Sequence, residues 1–263
     1  MPKISVIMGV YNGENTVRAS IDSILNQTFT DWEFVICDDA STDSTLSILN
    51  EYKEKYPDKF VILHNEKNLM LSGSLNRCLE VAKGEYIARM DADDISVINR
   101  LQIQVDFLDT HQEYALVGCR MQLFDGSNYG DIVKKINEPG VFDVPKSNPF
   151  IHATIVMRKS VYDALNGYSV TERTRRMEDV DLWYRFFAAG YKGYNLDDVL
   201  YYDRVDSFAM KKRKLRYSVD ASIIVFNGVK KLNLPKKYFI YSLKPLISWF
   251  TPERLKSIRR KNK

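Results

Sequence analysis

Between positions 89 and 94 the chain reads Arg89-Met90-Asp91-Ala92-Asp93-Asp94, three carboxylates in four residues at the end of the apolar run Glu85-Tyr86-Ile87-Ala88. Carboxylates this close repel one another, and a bound divalent cation is the usual reason to keep them together. Hard oxygen ligands favour Mg²⁺ or Mn²⁺, ions that commonly hold substrate phosphates as well. A solvated acidic turn ahead of a helix starting near Val97 accounts for the same residues, because Asp-Xaa-Asp alone is a common sequence. A second acidic pair, Glu178-Asp179, opens a stretch whose spacing predicts a helix with Leu182, Phe186 and Ala189 on one stripe. The helix dipole explains acids in a first turn about as well as catalysis does.

The elements that must position these acids alternate between strand-like and helix-like patterns. Ile4 to Val10, Trp32 to Cys37, Phe60 to His64 and Tyr86 to Met90 read as strands; Thr16 to Leu25, Thr42 to Tyr56, Ser72 to Ala82 and Arg100 to Leu108 read as helices. That alternation predicts an α/β fold with a mostly parallel, doubly wound sheet, in which ligands bind beyond the carboxyl ends of the strands. Polar loops gather at those ends: Tyr11-Asn12-Gly13-Glu14, Asp38-Asp39-Ala40-Ser41-Thr42-Asp43, Asn65-Glu66-Lys67-Asn68 and Asp91-Ala92-Asp93-Asp94. Any one of them could be a turn or a helix cap, and Ser41 or Thr42 is expected to cap the following helix. Four together favour a shared site. Further on, Ala115 to Gly118 and Ile151 to Met157 read as strands, and Gly126 to Gly140 as a loop-rich excursion.

With 263 residues, 45% hydrophobic and 27% charged, the chain has the composition of a globular protein large enough for one full α/β core. Cys37, Cys78 and Cys119 lack metal-ligand spacing and suggest a reducing compartment. No signal peptide is visible, so a cytoplasmic location is expected. The net charge of +4 hides an asymmetry: roughly −9 before position 205 and roughly +13 after it. No apolar run approaches the ~20 residues that span a bilayer.

The ordered set of Ser5 to Glu14, Asp38 to Asp43, Gly84 to Asp94 and Glu178 to Trp183 resembles the family 2 glycosyltransferases, inverting enzymes of the GT-A fold, many of which build bacterial surface polysaccharides. Arg100-Leu101-Gln102 and Asn148-Pro149-Phe150-Ile151-His152 resemble the family as well. The resemblance runs from residue 3 to about 205 and implies a catalytic domain over 1–206, with a nucleotide-binding half to about 94 and an acceptor half beyond it. It implies Val10, Tyr11 and Glu14 near the base and ribose, and Asp39 accepting a hydrogen bond from a pyrimidine N3–H, which favours uridine or thymidine diphosphate sugars. Asn68, Asn76 and Arg89 are placed in the nucleotide-sugar pocket, although Met70 stands where many members have Gly. Asp91 is implied at the ribose or sugar and as a metal ligand, and Asp93 on a Mn²⁺ or Mg²⁺ ion bridging the diphosphate. Asp94 is read as a cap or supporting partner, and Asp206 as a substitute for the His that relatives use as a third ligand. Asp179 is implied as the catalytic base, with Glu178 positioning the acceptor or the loop. Asp181 serves the helix, Trp183 stacks on sugar or packs in the core, and His152 is more often a structural group than an acceptor contact.

Residues 207–263 form a basic amphipathic helical tail in which Lys211-Lys212-Arg213-Lys214, Lys230-Lys231, Lys236-Lys237 and Arg259-Arg260-Lys261 alternate with aromatic and apolar segments. The pattern suits an interfacial helix on an anionic membrane surface; packing on the core or on a second subunit is the alternative, and nucleic acid fits poorly with the acidic catalytic half. The expected partners are thus a nucleoside-diphosphate sugar, a glycan or polyprenyl-linked glycan acceptor and the inner face of the plasma membrane, with homo-oligomers left open. Two rivals carry different consequences. A sugar-phosphate nucleotidyltransferase would want a Gly-rich basic loop after the first strand, where Tyr11-Asn12-Gly13-Glu14 stands. A catalytically silent scaffold subunit would not need Asp91, Asp93 and Asp179 together.

Overall fold

A computed structural model of the chain describes residues 1–205 and 215–251. In chain order the elements are β1 (Ile4–Val10), α1 (Val17–Leu25), β2 (Trp32–Asp38), α2 (Thr45–Lys55), β3 (Phe60–His64), α3 (Met70–Val81), β4 (Tyr86–Arg89), β5 (Ile95–Ser96), α4 (Arg100–Thr110), β6 (Leu116–Phe124), β7 (Tyr129–Val133), β8 (Val156–Arg158), α5 (Lys159–Ala164), α6 (Glu178–Ala188), β9 (Gly193–Arg204), α7 (Leu215–Lys231) and α8 (Lys244–Phe250), with 3₁₀ turns at His152–Thr154 and Lys236–Leu243. One mixed sheet runs β3-β2-β1-β4-β8-β6-β9-β5, with β7 paired to β6. Strands β1 to β4 are mutually parallel, β8 turns antiparallel to β4, and β9 runs parallel to β6.

Helices cover both faces of this sheet, so the central strands are apolar nearly throughout. Successive β1 residues go to opposite cores. Val6 and Met8 pack with Ile21 and Ile24 of α1, Leu49 of α2 and Leu101 of α4. Ile7 packs with Leu75 of α3 and with Leu182, Trp183 and Phe186 of α6. From β1 the chain winds outward through β2 and β3 and then returns to place β4 on the other side. That reversal is the switch point at which such sheets bind ligands, and register aligns Val10 with Asp38, and Asp38 with His64, along its rim.

Several expectations change in the second half. The 126–140 excursion contains β7, paired with a β6 that runs well past Gly118. Ile151 to Met157 is a 3₁₀ turn followed by β8 rather than one strand, because Thr154 bends its hydroxyl back to the Ile151 carbonyl at 2.9 Å. Val97 does not start a helix; β5 pairs with β9 there and α4 begins at Arg100. Ala189 lies past the end of α6 and is exposed. Asp206 and Lys211-Lys212-Arg213-Lys214 lie outside the described residues.

Candidate active site

The loops after β1 and β2 are laced into one surface. Asn12, in the left-handed region at φ 52°, donates its N–H to Ser41 Oγ at 2.9 Å and accepts the Thr42 N–H on Oδ1 at 2.8 Å. Gly13 N–H donates to Thr45 Oγ1 at 2.8 Å, and Glu14 Oε2 accepts the Ser44 N–H at 3.0 Å. Ser41 and Thr42 are therefore committed to Asn12 and do not cap α2. The helix starts at Thr45, whose N–H is taken by Asp43 Oδ1 at 3.0 Å. Val10 accepts the Asp39 N–H at 2.8 Å, and Tyr11 stands half-exposed at the rim.

Asp39 is buried, yet only half of its carboxylate is used. Asn65 Nδ2 and the Leu69 N–H both donate to Oδ1, each at 2.7 Å, which leaves Oδ2 without a partner among the described residues. Exposed Asn68 accepts the Met70 N–H at 3.1 Å, and Met70 itself sits at φ 63°. A left-handed first residue of α3 is a position that favours Gly; a methionine adopts that conformation at a cost of roughly 1–2 kcal/mol. Asn76 departs from its expected place. It gives both ends of its amide to the Tyr168 backbone, at 2.8 Å each, and lines a groove with Tyr162 and Gly167.

The acidic cluster is built on buried cations. Arg89, at the end of β4, is only 2% exposed and pairs through Nη1 with Asp91. The guanidinium therefore lies beneath Asp91, closed to solvent, rather than lining an open pocket. Burial opposes its charge, but the Asp91 carboxylate outweighs that and raises the guanidinium further. A second buried cation, Arg100, donates from Nη2 to the Arg89 carbonyl at 2.9 Å, from Nε to Gln104 Oε1 at 2.9 Å, and lies over the Tyr201 ring at 4.9 Å. Tyr201 in turn accepts the Asp91 N–H on its hydroxyl at 3.0 Å.

Asp93 is the exposed member of the cluster; its backbone carbonyl accepts Arg204 Nε at 3.0 Å. Asp94 is buried, accepts the Arg204 N–H at 2.9 Å, and is pushed up to about 8 by burial and by Asp91 and Asp93. Asp203 of β9 is also raised, by burial and then by Asp91 and Asp93. Four carboxyl groups thus crowd one corner, oxygen donors of the kind a hard divalent cation suits. No three metal-ligating side chains converge into a full site among the described residues.

The second acidic pair opens α6. Asp179 accepts Asn148 Nδ2 on Oδ2 at 2.7 Å and its neighbour Val180 N–H on Oδ1 at 2.8 Å, which fixes the carboxylate's orientation. Glu178 turns inward: burial and Asp179 raise its carboxyl, while the Arg89 charge pulls it back down. Arg89 therefore acts on Asp91 and Glu178 at once. Asp181 accepts Ser169 Oγ at 2.6 Å and pairs with Arg185 at 2.7 Å, the helix-serving role expected for it. Trp183 is fully buried against Phe150 at 5.2 Å, so it packs the core and does not stack on sugar. His152 is enclosed, bonded through Nε2 to the Tyr168 hydroxyl at 2.8 Å and held neutral by burial and by Arg89.

Arg100, Asn148, Tyr201 and Asp203 were given no role by the sequence reading. Arg100 and Asn148 lie in family-like segments, so a signal existed for both; Tyr201 and Asp203 belong to a strand that the pattern did not reveal.

Residues 5–166 match the family described as Glycosyl transferase family 2, more than half of the chain. The chain belongs to that family. The transferase is 49% identical over 253 residues to a Bacillus subtilis protein named putative glycosyltransferase EpsE, covering 95% of this chain and 90% of the relative. It is 28% identical over 252 residues to WfaP of Escherichia coli, named a UDP-Glc:α-D-GlcNAc-diphosphoundecaprenol β-1,3-glucosyltransferase, covering 94% and 95%. Among solved structures, TarS 1–349 of S. aureus in complex with UDP-GlcNAc superposes with a TM-score of 0.73 at 20% identity, over 94% of this chain and 73% of that one. The mannosyltransferase PcManGT of Pyrobaculum calidifontis, in complex with GDP-Man and Mn²⁺, superposes with a TM-score of 0.66 at 18% identity, over 94% and 74%. The fold of the transferase is GT-A, with a helical C-terminal region.

Proposed function

We propose that the protein transfers a hexose-type sugar from a uridine or thymidine diphosphate donor to a hydroxyl of a glycan or lipid-linked glycan, with inversion, in bacterial capsule, exopolysaccharide or O-antigen synthesis. The observation that carries this reading is the buried Arg89 guanidinium at the end of β4, which pairs with Asp91 beside the acidic cluster, while Asn148 holds the carboxylate of the candidate base Asp179 at 2.7 Å. The names of relatives, WfaP above all, support the acceptor class.

In the displacement, the acceptor oxygen bonds to the anomeric carbon as the bond from that carbon to the diphosphate breaks. Asp179 takes the acceptor's hydroxyl proton, and Asn148 keeps its carboxylate aimed. Glu178 supports that helix turn. Asp93 and Asp91 would hold the Mn²⁺ or Mg²⁺ ion, which when bound supplies charge neutralisation for the departing diphosphate. Arg89 holds Asp91 in place, and Val10, Tyr11, Glu14 and Asn68 frame the nucleotide. On this reading residues 1–206 are catalytic, the basic tail meets the anionic inner leaflet, and the enzyme works in the cytoplasm at that surface.

The base specificity lies with Asp39 Oδ2, a free acceptor facing a pyrimidine N3–H. Asp39→Asn keeps an oxygen for Leu69 and Asn65 but presents an amide donor to the ligand. Isothermal titration should give at least about tenfold weaker UDP binding, the loss expected for a hydrogen bond to a charged group, with CDP, whose N3 accepts, gaining relative to UDP. Unchanged UDP affinity would remove Asp39 from nucleotide recognition.

A further inference from the structure

The C-terminal region stays on the catalytic body yet leaves much of its own apolar surface uncovered. α7 packs on α6: Gly228 lies against the Tyr184 ring so closely that no Cβ would fit, and Ile224, Val225 and Val229 join the core of Leu182, Trp183 and Phe186. Beyond Pro235, the 3₁₀ segment Lys236–Leu243 and α8 pack back against α7. Of these, α8 buries no residue. Ile240, Leu243, Ile247 and Phe250, spaced three, four and three, are 65%, 49%, 60% and 71% exposed. That spacing puts them on one outward stripe, a larger apolar surface than scattered exposed residues provide.

The flanks of the stripe are basic. Lys236, Lys237 and Lys244 are exposed beside it, no acid occurs between Asp220 and Glu253, and positions 252–263 add Arg254, Lys256, Arg259, Arg260, Lys261 and Lys263 to the sequence. The same segment braces the acceptor side of the site. Lys244 Nζ donates to the Lys146 carbonyl at 2.5 Å, and the Tyr238 ring packs on Phe142 at 5.6 Å. The loop they hold continues into Asn148, the partner of Asp179.

We propose that the 3₁₀ segment and α8 seat on an anionic bilayer surface, with Ile240, Leu243, Ile247 and Phe250 at the acyl boundary and the lysines among phosphate headgroups. This deepens the reading above and rests on it in one respect, that the acceptor is lipid-linked: the seated face brings the acceptor end of the site to the surface where such a substrate resides. Charge complementarity selects the occupant, since an apolar stripe flanked by exposed Lys236, Lys237 and Lys244 fits an anionic leaflet better than a neutral one or a second cationic copy. The contact is interfacial, because no helix among the described residues is long and apolar enough to cross a membrane.

The test is co-sedimentation of the full chain with vesicles of phosphatidylglycerol and phosphatidylcholine, against phosphatidylcholine alone. Wild type should pellet with the anionic vesicles only. Ile247→Asp with Phe250→Asp, both at exposed positions outside the catalytic machinery, should cut the bound fraction about tenfold or more, leave donor hydrolysis unchanged, and lower transfer to a lipid-linked acceptor but not to its soluble glycan. Binding equal to wild type overturns the proposal, as does failure of the wild type to bind anionic vesicles. Sedimentation velocity closes the remaining route: a wild-type dimer that the double substitution converts to monomer would assign this face to a second copy. A protein that binds vesicles but turns over no donor would overturn the catalytic reading and leave this one standing.

Discussion

Asp179→Asn should abolish sugar transfer, by about 10³-fold within the range that general-base catalysis spans, while leaving nucleotide affinity unchanged. The substitution keeps shape and a hydrogen-bonding oxygen, so the Val180 N–H that now closes on Asp179 retains an acceptor. What it removes is the proton sink. The acceptor hydroxyl is a poor nucleophile until its proton has somewhere to go, and an amide cannot receive it. Because Asp179 sits on α6 and the nucleotide loops follow β1 and β2, donor binding is structurally independent of the change. Initial rates with saturating donor, alongside nucleoside diphosphate titrations, separate the two. Turnover within a few-fold of wild type would remove Asp179 from the mechanism and shift attention to Glu178.

Arg89→Met should lower stability by about 2–4 kcal/mol at neutral pH, the scale of breaking a buried ion pair from one side, reduced because Asp91 is partly exposed. It also raises KM for the donor, because Asp91 loses the partner that positions it. Methionine fills much of the arginine's volume, so the effect is electrostatic more than steric. The pH dependence distinguishes this from a packing defect. Without Arg89, Glu178, already raised by burial and by Asp179, loses the nearby cation that pulls it down, and its folded-state pKa rises further above the unfolded one. Such groups favour folding below the unfolded carboxylate range and lose that contribution as pH rises through the folded values. The deficit of Arg89→Met should therefore be largest near pH 8 and shrink toward pH 4, as followed by urea unfolding across that range. A pH-independent loss would mean that the guanidinium acts by packing alone.

The first half of this architecture is written plainly in the chain. Strands β1, β2 and β4 are central and parallel, so their apolar runs are continuous and their ends are marked by the loops that carry Asp39 and Asp91. The second half hides its elements. β9 runs from Gly193 to Arg204, but exposed Asp197 and Asp198 interrupt its pattern where its pairing with β6 shifts register, and Tyr201 and Asp203 were missed with it. Arg100 illustrates a different limit. A charged residue at 0% exposure makes sense only through the carbonyls of Arg89, Ala153 and Ile155, three segments that no local pattern brings together. Asn76 differs in the opposite direction: a polar type suited to a sugar pocket is used by the fold on the Tyr168 backbone, while Trp183 takes the core-packing alternative of its two readings.

The central claim is that Asp39, Asp91 and Asp93 form a working donor site beside the candidate base Asp179, and donor hydrolysis tests it most directly. Wild-type protein with Mn²⁺ and a panel of UDP-, dTDP-, GDP- and CDP-sugars should release nucleoside diphosphate slowly from a uridine or thymidine donor. That release should disappear with chelator and in Asp93→Ala. No release from any donor, together with no thermal stabilisation by any of them, would contradict the account and leave a GT-A body that binds without catalysing.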